Sequence, residues 1–135
     1  MVFIAILIAV LGVLGWIRFA PSEVSDWHVD PQVSADQDLT NGVRRRVTSD
    51  ETGFDRLHHL IIATPRTTVL AGSPQDGHVT YVSRSLWLGF PDYTTVQANG
   101  DVLEIWGRLR FGRSDMGVNK ARVDGWLAAF RQEGA

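Results

Sequence analysis

The chain opens with an uninterrupted apolar run. Residues 1–17, MVFIAILIAVLGVLGWI, carry no charged side chain, and Arg18 ends the run. A helix of that length rises about 25 Å, a little less than the roughly 30 Å hydrocarbon core of a bilayer. The next two residues lengthen the helix, and the long side chain of Arg18 can reach the headgroups, which closes most of the gap. With Trp16 as an interfacial aromatic and Pro21 as a helix stop, the pattern predicts a transmembrane anchor over residues 1–20.

The alternative for this run is a cleaved signal peptide. Such a peptide begins with basic residues and ends with small residues two apart, and the chain has neither feature at these places. A retained anchor is therefore the better interpretation. Orientation rests on Arg18 alone, because acidic residues contribute little to topology. We expect a single-pass membrane protein whose globular domain lies in the periplasm.

Residues 21–41 are polar and show no hydrophobic period, so we expect a linker between the anchor and the domain. Asp26, His28 and Asp30 alternate within it and would share one side of an extended chain. Carboxylates and an imidazole at this spacing are weak candidates for metal ligands. The alternative is a set of solvated polar residues around a docked Trp27.

The remaining residues, 42–135, are expected to form one domain. The segment GVRRRVTS at 42–49 alternates apolar and basic positions, which predicts a first strand. Thr48 and Glu51 then have the spacing of a capping box. Apolar residues follow at steps of three and four, which predicts a helix that ends near residues 64–65, a Thr-Pro pair.

Four further strands and a second helix follow in the pattern. Asn99-Gly100, a strong hairpin signal, separates the last two strands. Val123, Leu127 and Phe130 form one apolar stripe, which predicts a C-terminal helix. The order strand, helix, four strands, helix predicts an α+β domain, a five-stranded antiparallel sheet with two helices on one face.

The last strand sorts its side chains into two faces. One face is apolar and is expected under the helices. The opposite face carries Trp106, Arg108 and Arg110, and the first strand adds Arg44 and Arg46. Guanidinium groups fit phosphate or carboxylate, and an indole offers a stacking plane, so this Arg/Trp face is a candidate binding surface. The alternative is a solvated face whose arginines pair with nearby acids.

A glycine-spaced loop, GRSDMGVNK at 112–120, precedes the C-terminal helix. Its glycines permit turn geometries closed to other residues, and Ser114 or Asp115 is placed to cap the helix. Arg113 and the free amides of the helix start would attract an anion, although Asp115 would repel it. A plain strand-to-helix connection is the favoured interpretation. Arg113, Asp115 and Asn119 are kept as candidate binding residues.

Two segments also carry a family resemblance. SRSLWLGFPDY followed by RLRFGRSDMGVNKARVDGWL resembles the bacterial domain-of-unknown-function family 1499. In that family an arginine-bearing strand leads into a Ser-Asp-hydrophobic-Gly-Val-Asn signature, which here runs from Ser114 to Asn119. The resemblance covers about residues 40–131. Many members read Asn-Cys-Val-Ser-Ser near the domain start, where this chain reads NGVRR. The resemblance implies a shared fold and no defined activity.

The composition and motifs of the chain argue against several classes of partner and of catalytic site. The balance of 13 basic against 15 acidic residues gives no electrostatic footprint for nucleic acid. With no cysteine, disulfides, thiolate nucleophiles and cysteine metal sites are excluded. There is no Gly-x-Ser-x-Gly elbow or phosphate loop, and His58 and His59 are adjacent on a helix, so they point about 100° apart. We expect no cofactor and no nucleic acid partner.

These observations favour a membrane-anchored, non-catalytic accessory or binding domain. Small residues along the span, Ala5, Ala9, Gly12 and Gly15, would let another helix approach closely, so an integral membrane protein is the expected partner. One alternative is a lipid-headgroup or small-anion binding module that uses the Arg/Trp face. A second alternative is an uncharacterised enzyme.

Overall fold

The computed structural model describes residues 1–134. Its first element is helix α1, Val2–Phe19, none of whose residues is buried. By length and composition α1 can cross a membrane, with a mean hydropathy of 2.5, a test that a signal sequence near the N-terminus also meets. Ala20 leaves the helical conformation directly before Pro21, as expected from a ring that cannot continue a helix.

Nine further helices and strands follow α1 in the described residues. In chain order they are α2 (Val24–Trp27), β1 (Gln37–Leu39), β2 (Gly42–Thr48), α3 (Gly53–Ile62), β3 (Thr67–Ser73), β4 (His78–Arg84), β5 (Pro91–Asn99), β6 (Val102–Leu109) and α4 (Val118–Glu133). The α+β class and the predicted order from β2 to α4 are confirmed. The helix after β2 begins later than expected: Thr48 ends β2, and Thr52 is the N-cap of α3.

A single antiparallel sheet joins six strands in the order β1-β2-β6-β5-β4-β3. The prediction of five strands was therefore wrong by one. The extra strand, β1, lies in the segment expected to be a linker, and pairs Asp38 with Val43. Its three residues are too few and too polar to show an alternating pattern, so its pairing with β2 is what makes it a strand.

The apolar core lies between one face of the sheet and two helices. Leu57 and Ile61 of α3 and Val123, Leu127 and Phe130 of α4 are buried there. They contact inward side chains of the strands, among them Val43, Tyr81, Val96 and Ile105. The predicted stripe of α4 and the apolar face of β6 are confirmed.

Residues 21–36 cross the opposite face of the sheet, and we call them the N-terminal strap. Val33 within it is only 1% exposed. Its backbone N–H donates to Oε1 of the buried Glu104 at 2.5 Å. The strap is therefore a third layer of the structure, packed on the sheet, and not a free spacer over this length.

Two glycines give a matched test of the packing. A Cβ on Gly42 would collide with the carbonyl oxygen of Gly107 on the neighbouring strand, so Gly42→Ala should lower the free energy of unfolding by about 2–3 kcal/mol. Gly125 lies in α4 with open space around its Cα, so Gly125→Ala should raise it by up to about 1 kcal/mol. Denaturant unfolding of the full chain in mild detergent measures both. Equal effects of the same sign would contradict the register of β2 on β6.

Candidate functional site

The predicted Arg/Trp face exists, because strand register brings its members together. Arg44 pairs with Trp106 across β2 and β6, and Tyr93 pairs with Arg108 across β5 and β6. The side chains of Arg44, Trp106 and Arg108 therefore share the face that is opposite to the helices. This is the face that the strap covers.

The arginines of this face hold the strap by its backbone. Arg44 donates to the carbonyl oxygens of Pro31 and Gln32 at 2.5 and 2.8 Å, and Arg46 donates to that of Val33 at 2.5 Å. Their guanidinium groups thus bind carbonyl groups of the same chain. These carbonyl groups take the place that a phosphate or carboxylate ligand was expected to occupy.

Arg108 is the most deeply placed of them, at 4% exposure. Its guanidinium donates to the Trp27 carbonyl at 2.6 Å and to the Thr95 hydroxyl at 2.8 Å. The indole of Trp106 lies 4.1 Å from the guanidinium carbon, a cation–π contact. Burial, followed by the nearby charge of Arg44, lowers the pKa of Arg108 to about 10, so the group stays protonated at neutral pH. Neutral oxygens and π faces therefore stabilise a buried charge.

The structure of this face differs from both interpretations that the sequence allowed. It is not a solvated surface with surface ion pairs, since Arg108 and Glu104 are buried. It is not an open binding surface either, because Trp27 of the strap stacks on Tyr93 with ring centroids 3.8 Å apart. Alternation along a strand indicates which residues share a face, but it does not indicate what covers that face.

The three weak metal candidates are not gathered. His28 stacks on His78 with centroids 3.8 Å apart, and its Nδ1 lies 2.8 Å from the hydroxyl of Thr80. Asp30 accepts the backbone N–H of Gln32. Between residues 1 and 134 no cluster of three His, Asp or Glu side chains has the arrangement of a metal site. The expected alternation fails because α2 turns the chain helically just before His28.

The signature loop is built as a strand-to-helix connection. Asp115 accepts the backbone N–H groups of Gly117 and Asn119, each at 3.0 Å, and so satisfies donors of the first turn of α4. Met116 and Gly117 have φ values of 53° and 78°, the left-handed region that lets the chain turn into the helix. Arg113 is exposed beside this turn.

Asn119 links this loop to the sheet from a fully buried position. Its amide donates to Asp115 at 2.9 Å and to Asp92 of β5 at 3.2 Å, and its carbonyl accepts Arg122 at 2.9 Å. Gly107 lies opposite, and a Cβ there would be 3.3 Å from the Asn119 carbonyl oxygen. Burial raises the pKa of Asp92, and the neighbouring Arg122 opposes that rise. Asp92 was not identified from the sequence; only its place in the quoted GFPDY stretch could have marked it.

A cleft opens beside this network, at the end of the sheet where β4 ends and β5 begins. Its volume is about 460 Å³, and its walls include Phe90, Leu109, Phe111 and Met116. A second cavity of about 220 Å³ adjoins it, since Arg66, Arg84 and Ser85 line both. Arg18 also lines this second cavity, so both lie at the end of the domain that meets α1. We call this region the anchor-side end, after the anchor predicted for α1.

The β4–β5 loop at the anchor-side end exposes three consecutive apolar side chains. Leu86, Trp87 and Leu88 are 61, 86 and 44% exposed. Arg84 at the base of the loop donates to the carbonyl oxygens of Arg18 and Gly89, at 3.0 and 2.8 Å, which ties the loop to the end of α1. The sequence signal was present as the apolar run SLWLGF, but nothing in the pattern placed it next to α1.

Two of the predicted binding residues lie near this end: Asp115 lines the cleft, and Arg110 contacts the start of the strap. Its guanidinium donates to the carbonyl of Pro21 and to the hydroxyl of Tyr93, both at 3.0 Å. It therefore fixes the point where the strap leaves α1. The structure thus divides the predicted set into strap-holding arginines and the residues of the signature loop.

The stacked histidines predict a pH dependence of stability. Burial, followed by the charge of His78, lowers the pKa of His28 below its ordinary 6.5, while Asp76 opposes the change. At acidic pH the unfolded chain then binds more protons than the folded one. This contribution to stability is complete above about pH 6.5 and is lost as the pH falls through the folded-state pKa. Denaturant unfolding at pH 7.5, 6.5 and 5.5 should show the fall.

His28→Phe keeps a ring on His78 and removes the titration, so the fall should become smaller. His59→Gln, at an exposed position of α3, is the control and should change the pH slope less, because His59 acts only through its charge on His58. Burial also lowers the pKa of His58, so part of the fall should remain in the His28 variant. An unchanged pH slope in His28→Phe would contradict the assignment.

Comparison with known proteins adds a family. The family described as Protein of unknown function (DUF1499) matches residues 21–130. That range contains the strap, the whole sheet, α3 and most of α4, so the predicted resemblance is confirmed over more of the chain than was expected. No curated protein matches the sequence. The chain belongs to the DUF1499 family.

Proposed function

We propose that this chain is a membrane-anchored, non-catalytic binding domain that lies on the bilayer surface. In this proposal α1 is retained as a single-pass anchor. The anchor-side end of the domain then faces the lipid headgroups, and the β4–β5 loop enters the interface.

The observation that carries the proposal is the exposed Leu86-Trp87-Leu88 loop beside the end of α1. Removing one large apolar side chain from water is worth about 1.5–3 kcal/mol, and three adjacent ones seldom stay exposed without a contact. Tryptophan in particular favours the membrane–water interface, because its ring is apolar and its N–H can stay hydrated.

The position of the β4–β5 loop along α1 also places it at the membrane–water interface in this proposal. Arg18 is the residue at which an anchor of this length reaches the headgroups. Because Arg84 joins the Arg18 carbonyl to that of Gly89, the loop lies at the level of Arg18. A domain tied in this way brings its loop to the bilayer without any further partner.

In this proposal the surface that binds is the anchor-side end and not the Arg/Trp face. The arginines of the Arg/Trp face are occupied by the strap. The carboxylates of Asp92 and Asp115 serve the Asn119 network and the start of α4, which supports a binding role over acid–base chemistry. The sequence led us to expect an integral membrane protein as the partner. The test below distinguishes that partner from the lipid surface.

The absence of cysteine allows a site-specific test. Leu86→Cys carrying an environment-sensitive fluorophore should show blue-shifted emission in lipid vesicles that contain the full chain, and quenching by nitroxide lipids. Gln75→Cys, in the exposed β3–β4 turn at the other end of the sheet, is the matched control and should report water. A water-like signal from position 86 in vesicles would contradict the proposal. If that label becomes buried only in native membranes, a protein partner is indicated instead.

We also propose that the domain lies in the periplasm. Gln75→Cys serves here as well, because a membrane-impermeant maleimide should label it in intact cells whose outer membrane has been opened. Labelling only after the inner membrane is lysed would place the domain in the cytoplasm.

A further inference from the structure

The cavity of about 220 Å³ at the anchor-side end is lined by three arginines. Arg18 comes from the end of α1, Arg66 from the residue before β3, and Arg84 from the end of β4. The other residues of its lining are Thr68, Ser85, Leu86 and Gly89, and none of them is acidic. Three positive charges therefore meet at one small cavity.

Within residues 1–134 none of these three arginines forms an ion pair. The ion pairs of the described chain instead involve Arg45, Lys120 and Arg122. Arg84 donates to two carbonyl oxygens, and Arg66 donates its Nε–H to the carbonyl of Arg84 at 3.2 Å. The contact through Nε leaves the terminal nitrogens of Arg66 at an exposed position. A guanidinium presented in this way suits the two oxygens of a phosphate group.

The backbone at Arg66 supports a built site. Its φ is 57°, in the left-handed region, where a residue with a Cβ costs roughly 1–2 kcal/mol. The turn between α3 and β3 thus holds this arginine at the edge strand in an unfavourable conformation, with its side chain toward Arg84. Residues held in this way occur often at binding sites.

The adjoining cleft supplies the other half of a lipid site. It shares Arg66 and Arg84 with the arginine cavity, and Phe90, Leu109 and Phe111 give it apolar walls. Its lining also includes the carboxylates of Asp92 and Asp115, which are hydrogen-bonded to Asn119. A charged cavity that continues into an apolar cleft matches a ligand with a phosphate and a hydrocarbon chain. The exposed loop that enters the interface in the proposed function borders the same cavity through Leu86.

We propose that Arg18, Arg66 and Arg84 bind the phosphate group of a membrane phospholipid, with part of its acyl chain in the apolar cleft. This inference rests on the proposed function, in which the anchor-side end faces the bilayer. The phosphate oxygens accept hydrogen bonds from the guanidinium groups, and the acyl chain of the lipid lies along Phe90 and Phe111.

The test is native mass spectrometry of the full chain, purified in mild detergent, stripped of lipid, and titrated with short-chain phosphatidylglycerol. We expect one lipid per chain with saturable binding. Arg66→Gln and Arg18→Gln should each weaken binding about tenfold or more, because each removes charged donors to the phosphate. Arg66→Lys keeps the positive charge but loses the forked pair of N–H donors. Its lipid affinity should therefore lie between those of the unaltered chain and of Arg66→Gln. Arg131→Gln, an exposed arginine of the last turn of α4, should bind as the unaltered chain does.

Two further ligands separate the sources of binding. Diacylglycerol with the same chains lacks the phosphate and should not bind at these concentrations, and equal binding of it would overturn the proposal. Inorganic phosphate alone should compete poorly. Competition by inorganic phosphate at the concentration of the lipid would instead assign the cavity to a free phosphate and overturn the lipid assignment.

Unchanged lipid binding in both Arg66→Gln and Arg18→Gln would also overturn the proposal. Circular dichroism of each variant shows that a loss is not caused by unfolding. A fluorophore on Trp87→Cys, an exposed position of the same loop outside the cavity lining, reports bilayer contact independently. A buried label with no specific lipid binding would leave the proposed function standing and reject this site alone.

Discussion

The structure depends on how the outer face of β6 satisfies two buried charges. Arg108 and Glu104 lie on that face, 4% and 3% exposed, and an unpaired charge at such a position costs several kcal/mol. Neither is neutralised by an ion pair in the described chain. The strap supplies partners instead, with the carbonyl of Trp27 for Arg108 and the N–H of Val33 for Glu104, and Thr95 and Asn99 of β5 supply one further hydrogen bond to each. The strap must therefore stay in place for the face to be stable.

This constraint fixes the place where α1 meets the domain. Once Trp27 is stacked on Tyr93, the few residues between it and α1 have little freedom. Arg110 binds the carbonyl of Pro21, and Arg84 binds that of Arg18, so the end of α1 lies at one end of the sheet. The signature loop and the β4–β5 loop reach that same end. An apolar loop, an arginine cavity and a cleft are thus brought together beside α1, which is distant from them in sequence.

The elements that were predicted well are those with a long and regular pattern. The apolar run of α1, the stripe of α4 and the alternation of β6 each follow from local periodicity, as does the turn at Asn99-Gly100, where Gly100 has a φ of 63°. β1 and the start of α3 were missed. β1 has three residues and owes its strand conformation to β2. The N-cap residue of α3 is Thr52, whose backbone N–H donates to Asp50, and the expected pair of Thr48 and Glu51 does not cap the helix. Short elements depend on contacts that a local pattern does not contain.

By itself, the sequence determined the α+β class, the helix apolar enough to span a membrane, the family signature and the shared face of Arg44, Trp106 and Arg108. Each of these follows from the spacing of residues along one segment. Only the tertiary structure decided that the strap covers this face, that Asp92 joins Asn119 and Arg122, and that Arg18, Arg66 and Arg84 line one cavity. These arrangements join segments far apart in the chain. Their geometry is set by sheet order and by the pairing of buried polar groups, and neither leaves a periodic trace in the sequence.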